Sequence, residues 1–284
     1  MKIVIIGAGN VGLNLQHAFE LKHIHVELVR AHDILNGQEI GSYDAYIYAV
    51  ADKVLKSVAA KVDAPKALHL HTSGTMPIAV FGDDKPHAGV LYFFQSFSKL
   101  QLIDDWSGIP CFIEGRDIDD IAAIYSLAQT LTSRIYESTQ HDRERLHIAG
   151  VFANNYTNLM YRMAAQILQD TQIPFQVLLP LIDQTAAKVH DLSAKDAQTG
   201  PAQRGDAAVI IHHMNLLNGM KDGEFFSSDL EFVYMSLAQL LQNAAQPENA
   251  RRSIADVVLG QALGELDEKE QNYPVPPIRR RRRR

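Results

Sequence analysis

MKIVIIGAGNVGLNL, residues 1–15, decides the fold. Residues 2–6, KIVII, are a continuous β-rich run, the pattern of a strand buried on both faces. Gly7, Gly9 and Gly12 follow, and Val11, Leu15, Ala18 and Phe19 then recur at helical spacing. Each glycine has a mechanical reason. Gly7 permits a tight turn out of the strand, Gly9 lets a pyrophosphate approach the backbone, and Gly12 lets the helix pack closely on the strand. The helix that opens near Asn10 and Val11 points its free N–H groups and positive end at the same place. A G-x-G-x-x-G turn alone is a weak signal. Here a strand precedes it, a helix follows, and a second strand comes at residues 24–29 (IHVELV), which is the βαβ context that dinucleotide binding requires.

The end of that second strand reads V-R-A-H-D. A fold that prefers NAD places an acidic residue there for the ribose 2′-OH. Arg30 occupies the position instead, and a guanidinium suits a 2′-phosphate, with His32 in reach to assist. NADP is therefore favoured over NAD; the competing reading leaves Arg30 solvated and gives the ribose to Asp33. Ala49 and Val50 end the next strand, residues 44–50 (DAYIYAV), where the ribose and diphosphate would rest. Asp52 just beyond is equally explained as an acidic residue in a helix's first turn.

Further strands are expected at residues 67–71, 87–93 and 110–114, with an edge strand at 134–137 and helices at 51–62 and 118–131. Strands alternating with helices imply a parallel sheet with crossovers. Near His141 the texture changes to helix alone, over 143–169, 175–189, 206–218, 229–243 and 248–266. The fold class is thus α/β, a Rossmann-type parallel sheet domain over residues 1–140, followed by an all-α domain over 141–272 and a Pro/Arg tail over 273–284. The tail ends in six arginines and reads as an appended segment. With 46% hydrophobic residues, 284 residues can bury a sizeable core. The net charge of -6 argues against a nucleic-acid partner. The apolar stretches are too short to span a membrane, the first residues read as a strand rather than a signal peptide, and the one cysteine, Cys111, suits a reducing cytoplasm. No H-E-x-x-H, C-x-x-C or carboxylate cluster points to a metal.

Four places carry candidate reaction chemistry. His71 and Ser73 end the strand at 67–71, where polar groups face the crevice of such a sheet; His71, with an intrinsic pKa near working pH, is the first choice of proton donor. Gln95, Ser96 and Ser98, framed by Phe93, Phe94 and Phe97, have the makeup of a small pocket for a polar ligand. Asn154, Asn155 and Asn158 interrupt an apolar helix, with His147, Val151 and Asn154 along one stripe; burying carboxamides without partners is costly, so Asn154 and Asn155 are expected to line a site. In T-G-P-A-Q-R-G-D, residues 199–206, Asp206 makes an N-cap and Arg204 is a free cation suited to a substrate carboxylate or phosphate. A structural reading stands beside each, a satisfied turn at Ser73 and a surface ion pair at Arg204.

Together, HTSG, F-Q-S-F-S, ANN and TGP-x-x-RGD resemble the family in which a Rossmann-like NADP-binding domain precedes a domain of unknown function 2520. The resemblance implies a helical half like that of 6-phosphogluconate dehydrogenase, through which the protein would form a homodimer. More distantly the layout is similar to pyrroline-5-carboxylate reductase and the β-hydroxyacid dehydrogenases. The latter use a lysine four residues before an asparagine in this helix. Gly150 and Val151 stand there instead, which counts against their acid–base mechanism. The expected function is reduction of a small anionic carbonyl or imine substrate by NADP chemistry. The rival is a non-catalytic NADP(H) sensor or scaffold, and the feature that separates the two is a second, polar pocket beside the nicotinamide position.

Overall fold

The computed structural model describes residues 1–246. The helix expected at 248–266 and the Pro/Arg tail lie outside the described residues. The chain divides into two compact units, Met1–Thr157 and a second that starts at Asn158. The strands stop at Glu137, but a further helix and a π-helical turn carry the first unit on to Thr157, past the boundary expected near residue 140.

The first unit holds β1 (Ile3–Ile6), α1 (Asn10–Leu21), β2 (Val26–Val29), α2 (Ala31–Leu35), β3 (Ala45–Tyr48), α3 (Asp52–Ala59), β4 (Leu68–His71), β5 (Ala88–Phe93), β6 (Cys111–Gly115), α4 (Ile118–Gln129), β7 (Ile135–Glu137) and α5 (Gln140–Gly150). The strands form one sheet in the order β2-β1-β3-β4-β5-β6-β7. Strands β1 to β5 pair in parallel, but β6 runs antiparallel to β5, and β7 is again parallel to β6. The sheet is therefore mostly rather than wholly parallel. Residues 94–110 contain no helix to return the chain to the other end, so β6 re-enters where β5 left.

Alternation along the strands explains the layering. Ile3, Ile5, Ala45, Ile47 and Leu70 face one apolar cluster with Leu15 and Phe19 of α1 and Ile124 and Leu127 of α4. Val4, Ile6, Tyr46 and Tyr48 face the other, with Ile34 of α2, Leu55 and Val58 of α3 and Phe81. Ile5, Ile6 and Ile47 are wholly buried, and each such side chain contributes about 1.5–3 kcal/mol by burial. Thr139 and Asp142 form a capping box that starts α5, each bonding the other's backbone.

The second unit is all-α in its described part: α6 (Thr157–Ile167, whose first residue closes the first unit), α7 (Leu179–Asp191), α8 (Pro201–Arg204), α9 (Ala207–Asn218) and α10 (Ser227–Ala245). Met163, Leu217 and Leu230 centre one cluster, and Ala202, Ile210 and Ala238 another. The buried Gln166 carboxamide bonds both the N–H and the C=O of Phe225, at 2.8 Å each. The long helix expected over 143–169 is interrupted. Val151–Tyr156 form a π-helical turn between α5 and α6, a local widening that inserts an extra residue and is common at functional sites.

The glycine turn is tightly built. Gly7 has φ +119°, and a Cβ on Gly12 would stand 1.8 Å from the Gly7 carbonyl oxygen, whereas one on Gly9 would meet nothing within 4 Å. Gly12→Ala should therefore cost about 1–3 kcal/mol in urea unfolding by overpacking. Gly9→Ala, with φ -87°, should stay within about 0.5 kcal/mol of the parent. Equal effects would show that the helix does not need its close approach.

Candidate functional site

The carboxyl ends of β1, β3, β4 and β5 open on one crevice. Strand β1 is where the order reverses, since the chain leaves it for β2 on one side and returns to β3 on the other, and such a switch point leaves a cleft for a ligand. A cavity of about 420 Å³ lies there, lined by residues 9–11, 49–52 and 72–75 with Tyr92, Gln95 and His147. No side chain caps α1, whose N-cap is Gly9, so its first amides remain for a ligand. With open space above Gly9 and no room at Gly12, Gly7, Gly9, Asn10, Val11, Gly12, Ala49 and Val50 fit the diphosphate half of a dinucleotide. A groove of about 800 Å³ opens at the other end of β1 and β2, beside Lys2, His23 and Glu27. It lacks both the glycine turn and the helix terminus, so the smaller cavity is the candidate site.

A second cavity, about 210 Å³, is lined by Tyr92, Phe94, Gln95, Ser96, His147, Gly150, Val151, Ala153, Asn154 and Asn155. It shares Tyr92, Gln95 and His147 with the first. The π-helical turn brings Ala153, Asn154 and Asn155 onto one wall. Asn154 and Asn155 line this cavity, as expected of them, and with Asn158 they are exposed, as are their apolar neighbours Phe152 and Tyr156. Gly150 has a specific steric role, since a Cβ there would stand 2.7 Å from the Phe94 ring.

Where the cavities meet, Tyr92 Oη lies 3.3 Å from His147 Nδ1. Gly74 makes room for the pair, as a Cβ there would be 2.9 Å from Tyr92 Cζ and 3.1 Å from His147 Nδ1. Burial pushes the Tyr92 phenol up to about 12, with the Arg143 guanidinium pulling the other way. The phenol therefore keeps its proton at neutral pH and can donate it. Arg143 is wholly buried behind the site, paired with Glu114 and donating from Nη2 to the Met76 carbonyl at 3.1 Å.

His71 does not reach the crevice. It is wholly buried, its ring centroid is 5.8 Å from that of Phe81, and its Nδ1 accepts the Ser73 N–H at 3.2 Å. Burial, aided by Arg143, lowers its pKa to about 4, so the expectation of a proton donor poised near working pH is corrected. Ser73 lines the first cavity, but its oxygen accepts the N–H groups of Thr75 and Met76 at 3.1 Å each and closes a turn. Asp52 accepts the Thr75 hydroxyl at 2.7 Å. Arg204, in the second unit, is not a free cation. Its Nε and Nη2 lie 3.0 and 2.9 Å from the Asp206 carboxylate, which draws Asp206 away from the capping bond expected of it. Arg30 is exposed at the end of β2 and lines an open cavity with Lys99. Asp33 lies 3.5 Å from His32 instead of lining that cavity. Sequence reasoning passed over Tyr92, set in an apolar strand, although it stands next to the strand's last residue. No group of three or more His, Cys, Asp or Glu that could hold a metal occurs among the described residues. None of their helices is long and apolar enough to cross a membrane.

The mostly parallel sheet with its glycine turn, followed by a unit that is all-α in its described part, defines a Rossmann-type α/β protein. Residues 109–241 match the family described as a domain of unknown function, DUF2520. A Bacteroides fragilis protein, provisionally named an NADP oxidoreductase, is 34% identical over 85% of this chain and 97% of its own, with a TM-score of 0.75. The chain belongs to this family. Protein TM1727 of Thermotoga maritima matches 86% of this chain and all of its own at 15% identity and TM-score 0.66. A Streptomyces aurantiacus imine reductase matches 85% and 96% at 11% identity and TM-score 0.54. These two likenesses are of fold. No curated protein matches the chain.

The depressed His71 pKa has a consequence for stability. The unfolded residue titrates near 6.5 and the folded one near 4, so between those values the unfolded chain binds the extra proton and stability falls as pH falls. Urea unfolding at pH 7 and 4.5 should show the parent losing about 2–3 kcal/mol more than His71→Gln. Carboxylate effects are common to both proteins. Parallel losses would mean that His71 is not held neutral.

Proposed function

We propose that the protein is an NADP-dependent reductase of a small carbonyl or imine compound. The dinucleotide occupies the first cavity and the substrate's reacting group the second. The observation that carries this reading is the meeting of two cavities at Tyr92, Gln95 and His147, since a sensor needs only the first. The provisional name of the Bacteroides fragilis relative supports the coenzyme class. When bound, the nicotinamide supplies the hydride.

The chain's own residues orient and protonate. The protonated Tyr92 phenol donates a hydrogen bond to the substrate oxygen or nitrogen as charge develops, and then gives it the proton. Exposed His147, whose Nδ1 lies 3.3 Å from the phenol, returns a proton from solvent. Asn154, Asn155 and Ser96 present carboxamides and a hydroxyl that fix the substrate's orientation without adding charge. Ser73 Oγ lies 3.3 Å from the Thr75 hydroxyl and would reach a ligand by giving up that contact, while neutral His71 holds the Ser73 turn. Arg204 is a candidate for an anionic ligand within the second unit, taken in exchange for the Asp206 carboxylate. Arg30 favours NADP over NAD through the 2′-phosphate. The exposed apolar residues of the second unit, such as Leu181, Ile211 and Phe232, support a homodimer through that unit, and the single cysteine suits the cytoplasm.

Titration calorimetry with NADPH, followed by NADPH oxidation across keto acids and cyclic imines, tests the reading. Turnover of any of these is expected. Tight NADPH binding without turnover on a broad panel would favour the sensor. Tyr92→Phe should lower kcat by about 10²-fold or more with NADPH affinity unchanged. An unaltered kcat in Tyr92→Phe would remove the phenol from the reaction.

A further inference from the structure

The segment that follows β5 does not stay at its own place in the sheet. Strand β5 is separated from β1 by β4 and β3, yet residues 98–103 fold back onto α1. The Lys99 N–H donates to Asn10 Oδ1 at 3.1 Å. Asn14 Nδ2 donates to the Ser98 carbonyl at 3.0 Å, and Asn14 Oδ1 accepts the Ile103 N–H at 3.0 Å. Asn14 is wholly buried, and Phe97 and Ile103 pack against the core beside it. A loop held this way is fixed on the helix that carries the glycine turn.

This anchoring carries Lys99 to the β2 side of the crevice. There it lines an open cavity of about 730 Å³ with Ala8, Leu13, Leu28 and Arg30. Two cations and no acidic side chain border the space. Neither the Arg30 guanidinium nor the Lys99 ammonium has a hydrogen-bond or ion-pair partner among the described residues. Like charges facing one cavity repel, and an anion between them removes the repulsion. Arg30 stands at the strand end where this fold reads the ribose.

We infer that Lys99 is a specificity-determining residue that completes, with Arg30, a subsite for the 2′-phosphate of NADP. The inference rests on the dinucleotide reading above. Arg30 offers a planar fork and Lys99 a compact charge, so a phosphate dianion is neutralised from two sides. The second charge comes from a loop far along the chain, and Asn10 and Asn14 act as its positioning residues.

Calorimetric titration of the full chain with NADPH, NADH, 2′,5′-ADP and 5′-AMP tests it. The unaltered protein should prefer the 2′-phosphorylated member of each pair. Lys99→Ala should lose about tenfold in affinity for NADPH and 2′,5′-ADP, the size of one charge-assisted hydrogen bond, and less than twofold for NADH and 5′-AMP. Lys99→Arg should recover most of the loss. Lys99 is exposed, so thermal unfolding should be unaltered in both variants. Equal losses for both members of a pair, or no loss at all, would overturn the role of Lys99 and leave the dinucleotide site standing. Inorganic phosphate binding as tightly as 2′,5′-ADP would also overturn it, in favour of a general anion site. No binding of any nucleotide by the unaltered protein would overturn the dinucleotide reading itself.

Discussion

The contact between α1 and the Gly7 carbonyl is the constraint on which the rest depends. Only a residue without a Cβ fits at Gly12, and only that fit brings the first turn of α1 against the end of β1. The helix terminus then faces the gap between β1 and β3. The same helix places Asn10, in its first turn, and Asn14, one turn on, where their carboxamides reach the loop after β5. A single close approach thus sets the axis of the helix, the direction of its free amides and the position of a distant loop.

Around that axis the buried polar groups divide by role. Arg143 and His71 lie beneath the crevice, and each has one buried nitrogen without a partner. Burial, with the Arg143 charge adding to it, keeps the His71 ring neutral, so His71 shapes the turn at Ser73 instead of exchanging protons. The groups that meet open space are Tyr92 and His147, at the shared edge of the two cavities. Burial assigns these parts: the same residue type is inert below the strand ends and accessible above them.

Much of the first unit was legible in residues 1–50, because a buried strand, a glycine turn and an amphipathic helix each leave a periodic trace. The reversal at β6 was not, since a strand's own pattern does not record its direction; the helix-free stretch at 94–110 was the available hint. Helical spacing gathered His147, Val151 and Asn154, which do line one cavity with Asn155, but a count at 3.6 residues per turn cannot register an inserted residue, so the π-helical turn itself was not foreseen. Tyr92 was hidden because its neighbours in the strand are core residues. Arg204 misled for a different reason: a charge two residues from an acid is as readily satisfied locally as by a ligand.

Asn14 carries one last implication. Its carboxamide is the only described tie by which Ile103 fastens its amide, so residues 98–103 cannot lift away without breaking bonds to α1. Fluctuations of the two segments are therefore linked, although 84 residues separate Asn14 from Ser98. The slow exchange of the Ile103 amide hydrogen with solvent would track the opening of the helix to which it is fastened, and the pair would behave as one cooperative unit in the native ensemble.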